Sequence, residues 1–437
     1  MSMFLRNLFN RLNNQSFRYT VLRNYAFLPE DTGGSDLDIL IWRKQLPEFK
    51  SMLSETLDEN DGSIASIIGS KNCPRICLIG KGKDPWGLMI DLHFDEINFR
   101  QQTIIPEDVI LSNTVLYNNI SVLNRRTDSL ISLLKELLNN ETCTEKHYNS
   151  FIEHSLDQEF LDSLFIPLNK PKTAEALKKC TQGAYNQPEI SRLVKQLNND
   201  FPNRWYFPLV NAAKLKRLLR RPGYSIAFIG SDGSGKSALI DKLTPVLNET
   251  FHKAVYYRHL RPGWLSPLAH LSGKPEVNTG PVTNPHASQP SGYLVSFLRW
   301  GYYLIDYLFG YYLKVFPKQS TKACLFIFDR YYYDYYVDQR RSRIHLPVWM
   351  IRMGQAFIPE PDLILCLGTE AEIIHSRKPE LPLPEIERQI NALRKFCNNH
   401  KRSVWIDTGK SIEESADDAL KAVIAVMARR FESVKLT

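Results

Sequence analysis

An apolar stretch, YSIAFI, runs without a gap into Gly230-Ser231-Asp232-Gly233-Ser234-Gly235-Lys236-Ser237, and that loop opens the helical run SALIDKLTPVL. This order of strand, glycine-rich turn and helix constrains the fold more than any other feature, because it sets GxxxxGK[ST] in the context where the pattern has a mechanism. Glycines let the backbone curl so that its N–H groups face phosphate oxygens, and the helix N-terminus adds positive potential. The expected nucleotide contacts are Gly230, Asp232, Gly233, Ser234, Gly235, Lys236, Ser237 and Ala238. Lys236 is placed to reach the β- and γ-phosphates and the Ser237 hydroxyl to ligate Mg²⁺.

From residue 224 onward, short β-rich runs alternate with helical patterns. The runs 224–230, 253–260, 323–329, 362–368 and 403–408 are nearly continuously apolar. Strands of that kind separated by helices predict a parallel sheet covered on both faces. Residues 1–105 instead mix short strands with turns, and KGKDPWG at 81–87 reads as a hairpin turn. Residues 106–213 carry helical spacing, as in 129–140 and 190–201. The expected organisation is an α+β domain over 1–105, a helical region over 106–213 that completes it and bridges onward, and a P-loop domain with five parallel strands over 214–437.

A chain of 437 residues suggests two or three domains at roughly 150 residues each. Its 43% hydrophobic and 23% charged content excludes a mainly disordered or collagen-like protein. The net charge of +8 suits an anionic substrate, and equally nucleic acid or an acidic membrane surface. Seven cysteines without a CxxC pair argue against zinc and for a reduced, cytoplasmic chain. No signal-peptide core is read at the N-terminus. Residues 291–317 have membrane-span length, but Arg299, Asp306 and Lys314 fall near one helical stripe, which favours a buried helix beside a polar cleft. The basic run 214–221 reads either as a solvated helix at a domain boundary or as a weak contact to an acidic membrane surface. Nucleic acid has no firm signal.

The segment from Tyr224 onward resembles the thymidylate kinase family of P-loop nucleoside and nucleotide kinases. The match rests on FIGSDGSGKS, on IFDRYYYDYY at 327–336, on PDLILCLGTEAEIIHSRK at 361–378 and on VWIDTGKSIEES at 404–415. It implies ATP and Mg²⁺. Asp329 ends an apolar strand at the carboxyl edge of the sheet, where it can hold Mg²⁺ or its waters, and Arg330 can stabilise phosphate charge. With Lys236 and Asp232 they form the expected catalytic set, to which the resemblance adds Arg377 as a lid residue beside Lys378. Arg258, Arg261, Arg299 and Tyr331 are the expected acceptor contacts. An ion pair between Arg299 and Asp306 is the plainer alternative for Arg299. The family pattern is broken by a polar, proline-rich insertion at 272–292 and by the aromatic, basic stretch 331–343. These departures leave it open whether the small-molecule acceptor is dTMP or another compound, with a base and a sugar equally open.

Near the N-terminus, Gly33-Gly34-Ser35-Asp36-Leu37-Asp38-Ile39-Leu40-Ile41 is a turn entering a strand. Period-two alternation puts Asp36 and Asp38 on one face, and Asp91 in GLMIDLHF supplies a third carboxylate. The pattern resembles the DNA polymerase β-like nucleotidyltransferase superfamily, which implies metal bound by Asp36, Asp38 and Asp91. Arg23 and Asn24 stand where that superfamily carries Gly-Ser, so phosphate contact by Arg23 and binding without turnover both stay open. The expected function is an ATP- and Mg²⁺-dependent kinase acting on a nucleotide, nucleoside or sugar-like acceptor, fused to a nucleotidyltransferase domain. The alternatives are nucleotidyl transfer as the main activity, and a non-catalytic NTP-binding switch.

Overall fold

The computed structural model describes the chain except residues 16, 71, 83, 100–101, 181–184, 186, 203–219, 267–291 and 432–437. Most of the basic run and of the proline-rich insertion therefore lies outside the described residues.

The N-terminal strands are β1 (Tyr19–Val21), β2 (Leu37–Ile41), β3 (Gly62–Ile68), β4 (Arg75–Gly80), β5 (Trp86–Phe94), β6 (Ile97–Phe99), β7 (Gln102–Ile105), β8 (Thr114–Tyr117) and β9 (Ile120–Leu123). Seven of them form one mixed sheet in the order β3-β4-β5-β2-β1-β9-β8, while β6 and β7 pair separately. β4 and β5 pair as an antiparallel hairpin, as the sequence predicts, with Trp86 and Gly87 already in β5. Residues 114–123 depart from the helical expectation by forming a second hairpin. Its turn is Asn118-Asn119, both at positive φ (46° and 61°), which is the backbone a two-residue turn needs to match strand twist. The sheet thus continues past residue 105. Helices Arg125–Asn140 and Gln187–Asp200 then follow where helical spacing predicts them.

In the C-terminal half, β10 (Tyr224–Ile229), β11 (Val255–His259), β12 (Leu325–Asp329), β13 (Leu363–Gly368) and β14 (Ser403–Asp407) form a five-stranded sheet in the order β11-β12-β10-β13-β14. Every pairing is parallel. The three inner strands are buried at every position, which is why their sequences do not alternate.

The two sheets share a core. Ile39, Ile76 and Ile90 from the first belong to one buried cluster with Ile226, Leu243 and Leu420 from the second half. Helices Lys236–Thr250 and Ile412–Phe431 lie between the sheets, against β5 and β3 respectively. Gly87 makes the closest approach: a Cβ there would sit 2.3 Å from the Thr250 backbone nitrogen and 2.6 Å from the Val246 carbonyl oxygen. Polar contacts cross the same seam, from the Tyr224 hydroxyl to the Ala65 carbonyl (2.8 Å) and from the Ser66 hydroxyl to the Pro222 carbonyl (2.7 Å).

Helix Tyr293–Gly310 continues through a wider turn, Tyr311–Val315, into Phe316–Thr321. Its inner side is buried through Trp300, Asp306 and Tyr307, but its outer side exposes Leu294, Leu298, Ile305 and Phe309, so burial covers only one face. Among the described residues no helix is long and apolar enough to cross a membrane.

Candidate functional site

Strand β10 ends at Ile229 and delivers the chain to the loop at the carboxyl edge of the parallel sheet. Gly233 and Gly235 both adopt φ of 83°, the left-handed region that the curled backbone requires. Lys236 starts the helix and is buried, its Nζ donating to the carbonyls of Gly230 (2.9 Å) and Ser231 (2.8 Å). Burial, with Arg330 nearby, pulls its ammonium down to a pKa of about 7. Ser237 and Ala238 are exposed on the first helical turn. The buried hydroxyls of Ser231, Ser234 and Thr408 find no partner among the described residues, so the loop is lined by unused donors.

Asp329 sits beside the loop because its strand is in register with β10, pairing Phe228 with Asp329. Its Oδ2 accepts from the Tyr257 hydroxyl at 2.7 Å and lies 3.7 Å from His259 Nδ1. Burial raises its pKa, but these two contacts and Lys236 outweigh it and hold the carboxyl down at about 2. The other oxygen, Oδ1, is buried without a partner among the described residues. An ionised carboxylate with one oriented and one open oxygen is a fitting hard ligand for Mg²⁺. The sequence reading missed Tyr257 and His259: in β11, residues 257 and 259 share a face toward Asp329, whereas Arg258 faces away and bonds the Tyr257 carbonyl at 2.9 Å. Strand alternation identifies them only once β11 is set beside β12.

Arg330 is buried at φ of 71°. It donates to both oxygens of Asp334 (2.7 and 2.9 Å) and to Asp232 Oδ1 (2.6 Å). Arg341 closes on the second Asp232 oxygen. Although burial opposes ionisation, Arg330, Lys236 and Arg341 keep Asp232 far below the usual carboxylate range. The 331–343 stretch was noted for its basic character, but Arg341 itself gave no spacing signal, because its contact spans 109 residues of sequence.

Other expected residues fall elsewhere. Tyr331 is buried against Phe328 and Tyr307, with its hydroxyl on the Pro359 carbonyl at 2.6 Å, so it sits in the core rather than at an acceptor surface. Arg299 bonds the Arg343 carbonyl at 2.9 Å and does not pair with Asp306. Asp306 instead takes Arg261 at 2.9 Å and the backbone N–H groups of Trp264 and Leu265. Arg377 donates to the Thr408 carbonyl at 2.9 Å. Lys378 pairs with Glu380 at 3.1 Å, and its Cβ would lie 3.0 Å from one built on Gly233, so this helix end packs onto the loop.

A second cluster forms on the N-terminal sheet. β2 and β5 are parallel with Asp38 opposite Asp91, which puts both carboxylates on one face. Asp38 is fully buried and is held by Arg23, by Lys135 and, at 3.3 Å, by His93 Nε2. Burial would raise its pKa, yet Lys135, His93 and Arg23 keep it ionised. Asp36 reaches Arg23 at 3.9 Å. Asp91 is raised by burial, which Arg75 at 3.2 Å only partly offsets. The sequence reading missed Lys135 and His93. His93 follows Asp91 by the strand period of two, whereas Lys135 approaches from helix Arg125–Asn140. Cys73 Sγ and His93 Nε2 are 3.5 Å apart, and with Asp91 they make a compact group of metal-capable atoms.

No protein-family profile matches the sequence, and no curated protein matches it. Among solved structures, the chain is similar to the crystal structure of thymidylate kinase from Ehrlichia chaffeensis. That match has 16% identity and a TM-score of 0.32, and covers 46% of this chain and 98% of that one.

Proposed function

We propose that the protein is an ATP- and Mg²⁺-dependent phosphotransferase that moves the γ-phosphoryl group to a nucleotide, nucleoside or sugar-like small molecule. The observation that carries this reading is the meeting of three groups at one sheet edge: the Lys236 side-chain nitrogen, the open Oδ1 of Asp329 and the locked Arg330 guanidinium. The loop's N–H groups and unused hydroxyls bind the phosphate chain, and Lys236 exchanges its carbonyl partners for phosphate oxygens as it takes up a proton. Ser237 and Asp329 are the residues that would hold Mg²⁺, which supplies charge neutralisation at the phosphates. Tyr257 and His259 fix the Asp329 carboxylate, and both are exposed enough to border the acceptor. An acceptor oxygen attacks the γ-phosphorus, the bond to the β-phosphate oxygen breaks, and ADP leaves. Positioning and charge carry such a reaction without a covalent intermediate. A screen of nucleoside monophosphates, nucleosides and sugar phosphates for acceptor-dependent ADP tests it. Absence of ADP with every acceptor class, or equal ADP from Lys236→Ala, would refute it.

A second reading is favoured by the register of Asp38 with Asp91: nucleotidyl transfer at the N-terminal cluster. Its product is pyrophosphate, so assaying ADP and pyrophosphate in the same mixtures separates the two.

A further inference from the structure

The edge of the parallel sheet opposite the phosphate-binding loop carries a concentration of charge that the proposed reaction does not use. Arg220 and Arg221 precede β10, Lys401 and Arg402 precede β14, and Arg429 and Arg430 end the last helix; together they line a cavity of about 460 Å³. Three stretches far apart in sequence thus converge. Ligands of open α/β sheets bind at the carboxyl edge. This cavity lies at the amino edge, roughly 20 Å away across a strand of six residues.

Two carboxylates fall among these cations, and both serve as anchors. Asp362 takes Arg430, lies 3.9 Å from Arg221 and accepts the Ser225 N–H at 2.8 Å. Arg430 is further fixed by the Gly223 carbonyl (2.9 Å) and by the Tyr224 ring, 3.9 Å beneath its guanidinium. Glu360 holds Arg402 at 3.3 Å. Arg220, Lys401 and Arg429 are exposed and have no partner among the described residues. Among the described residues, six cations against two carboxylates leave an excess of four positive charges around a concave surface. Cations at a helix's last turn are ordinary complements of its macrodipole, which accounts for Arg429 and Arg430. It does not account for the two other stretches that bring their cations to the same cavity. Like charges held together without a counter-ion repel, and guanidinium forks match phosphate oxygens in geometry. The volume lies within the range of small-molecule sites.

We propose that this cavity binds an anion carrying two or more phosphoryl groups, at a site separate from the phosphate-binding loop. The shared chemistry fits a soluble polyphosphate ester and a lipid headgroup alike. Titrating the full chain with inorganic tripolyphosphate by calorimetry tests the site. Two equivalents should bind, and one should be lost in the Lys401→Glu/Arg429→Glu variant, with its affinity weakened about tenfold or more. Both positions are exposed, so the melting temperature should not change. The remaining equivalent should be the one that Lys236→Ala weakens. Flotation with phosphatidylcholine vesicles, with and without cardiolipin, whose headgroup carries two phosphates, separates the sources. Binding to the anionic vesicles that tripolyphosphate competes away assigns a headgroup, and tripolyphosphate binding without flotation assigns a soluble ligand. Tripolyphosphate binding undiminished in the double variant overturns the proposal, whereas a single equivalent that the double variant loses supports this cavity and counts against the phosphate-binding loop instead.

Discussion

The buried Arg330 and the half-buried Asp232 form an ion pair, Nη2 to Oδ1 at 2.6 Å, that ties the end of β12 to the phosphate-binding loop. Asp334 takes the other guanidinium nitrogen at 2.7 Å, so one buried cation serves two carboxylates from different segments. The loop's shape therefore depends on a charge balance as well as on its glycines.

Arg330→Met should break that balance. It leaves Asp334, which is buried, without its counter-charge, and removal of one partner from a buried pair costs about 3–5 kcal/mol. Chemical denaturation should show a loss of that order. Adding Asp334→Asn should recover part of it, because the two sites are in contact and their effects are not additive. A double variant no more stable than Arg330→Met alone would show that the Asp334 charge is not what the arginine neutralises.

Lys236 gives a prediction in pH. Its folded pKa of about 7 lies below its ordinary value of 10.5, so between those limits the unfolded chain binds the extra proton and stability rises with pH. Lys236→Met should remove that rise, seen as a flatter difference in melting temperature from pH 7 to 10. Nucleotide binding should also draw a proton onto the lysine near pH 8. Calorimetry in buffers of different ionisation enthalpy should register an uptake approaching one proton, absent in Lys236→Met. Unchanged proton stoichiometry between the two proteins would mean that the lysine is already charged.

The loop and the five parallel strands were legible because each is a local pattern. A glycine-rich turn between strand and helix, and apolar runs of fixed length, need no knowledge of the rest of the chain. Asp329 was legible for the same reason, as the polar end of an apolar strand. Its partners were less so: Tyr257 and His259 are reached through register with a neighbouring strand, and Arg341 through a long loop. Arg299 and Asp306 share a helix stripe, yet Asp306 is taken by Arg261 from another segment, so the ion pair that helical spacing offered as the alternative for Arg299 does not form. The shared core was hidden for a related reason. The apolar face of helix Lys236–Thr250 could be seen, but not that β5 would cover it.

Gly87 tests that shared core. A valine there would drive its Cβ into the Thr250 backbone nitrogen at 2.3 Å, where nothing flexible can yield. Overpacking typically costs about 1–3 kcal/mol, and backbone contact places this case at the upper end. Because the affected helix begins at Lys236, the variant should lose nucleotide affinity as well as thermal stability. Intact affinity with normal melting would mean that the sheet and helix separate without consequence.

The N-terminal cluster makes the last prediction, through Lys135. Asp38 is fully buried, and Lys135 is one of the two full cations on it, with Arg23 the other. Lys135→Met leaves one carboxylate oxygen with only the His93 ring, so stability at neutral pH should fall by about 1–3 kcal/mol. The sign in pH follows from the depressed pKa of Asp38. Stabilisation by its cations is present above the ordinary carboxylate value of about 4 and fades as acid protonates the group. The gap between the unaltered chain and Lys135→Met should therefore narrow on acidification. Mg²⁺ or Mn²⁺ should also narrow it at neutral pH, because a divalent ion among Asp36, Asp38 and Asp91 replaces the lost charge. Asp36→Asn/Asp38→Asn in the Lys135→Met background should abolish that metal response. A gap that ignores both acid and metal would mean that Lys135 acts by packing alone, and the three carboxylates would then have no claim as a metal centre.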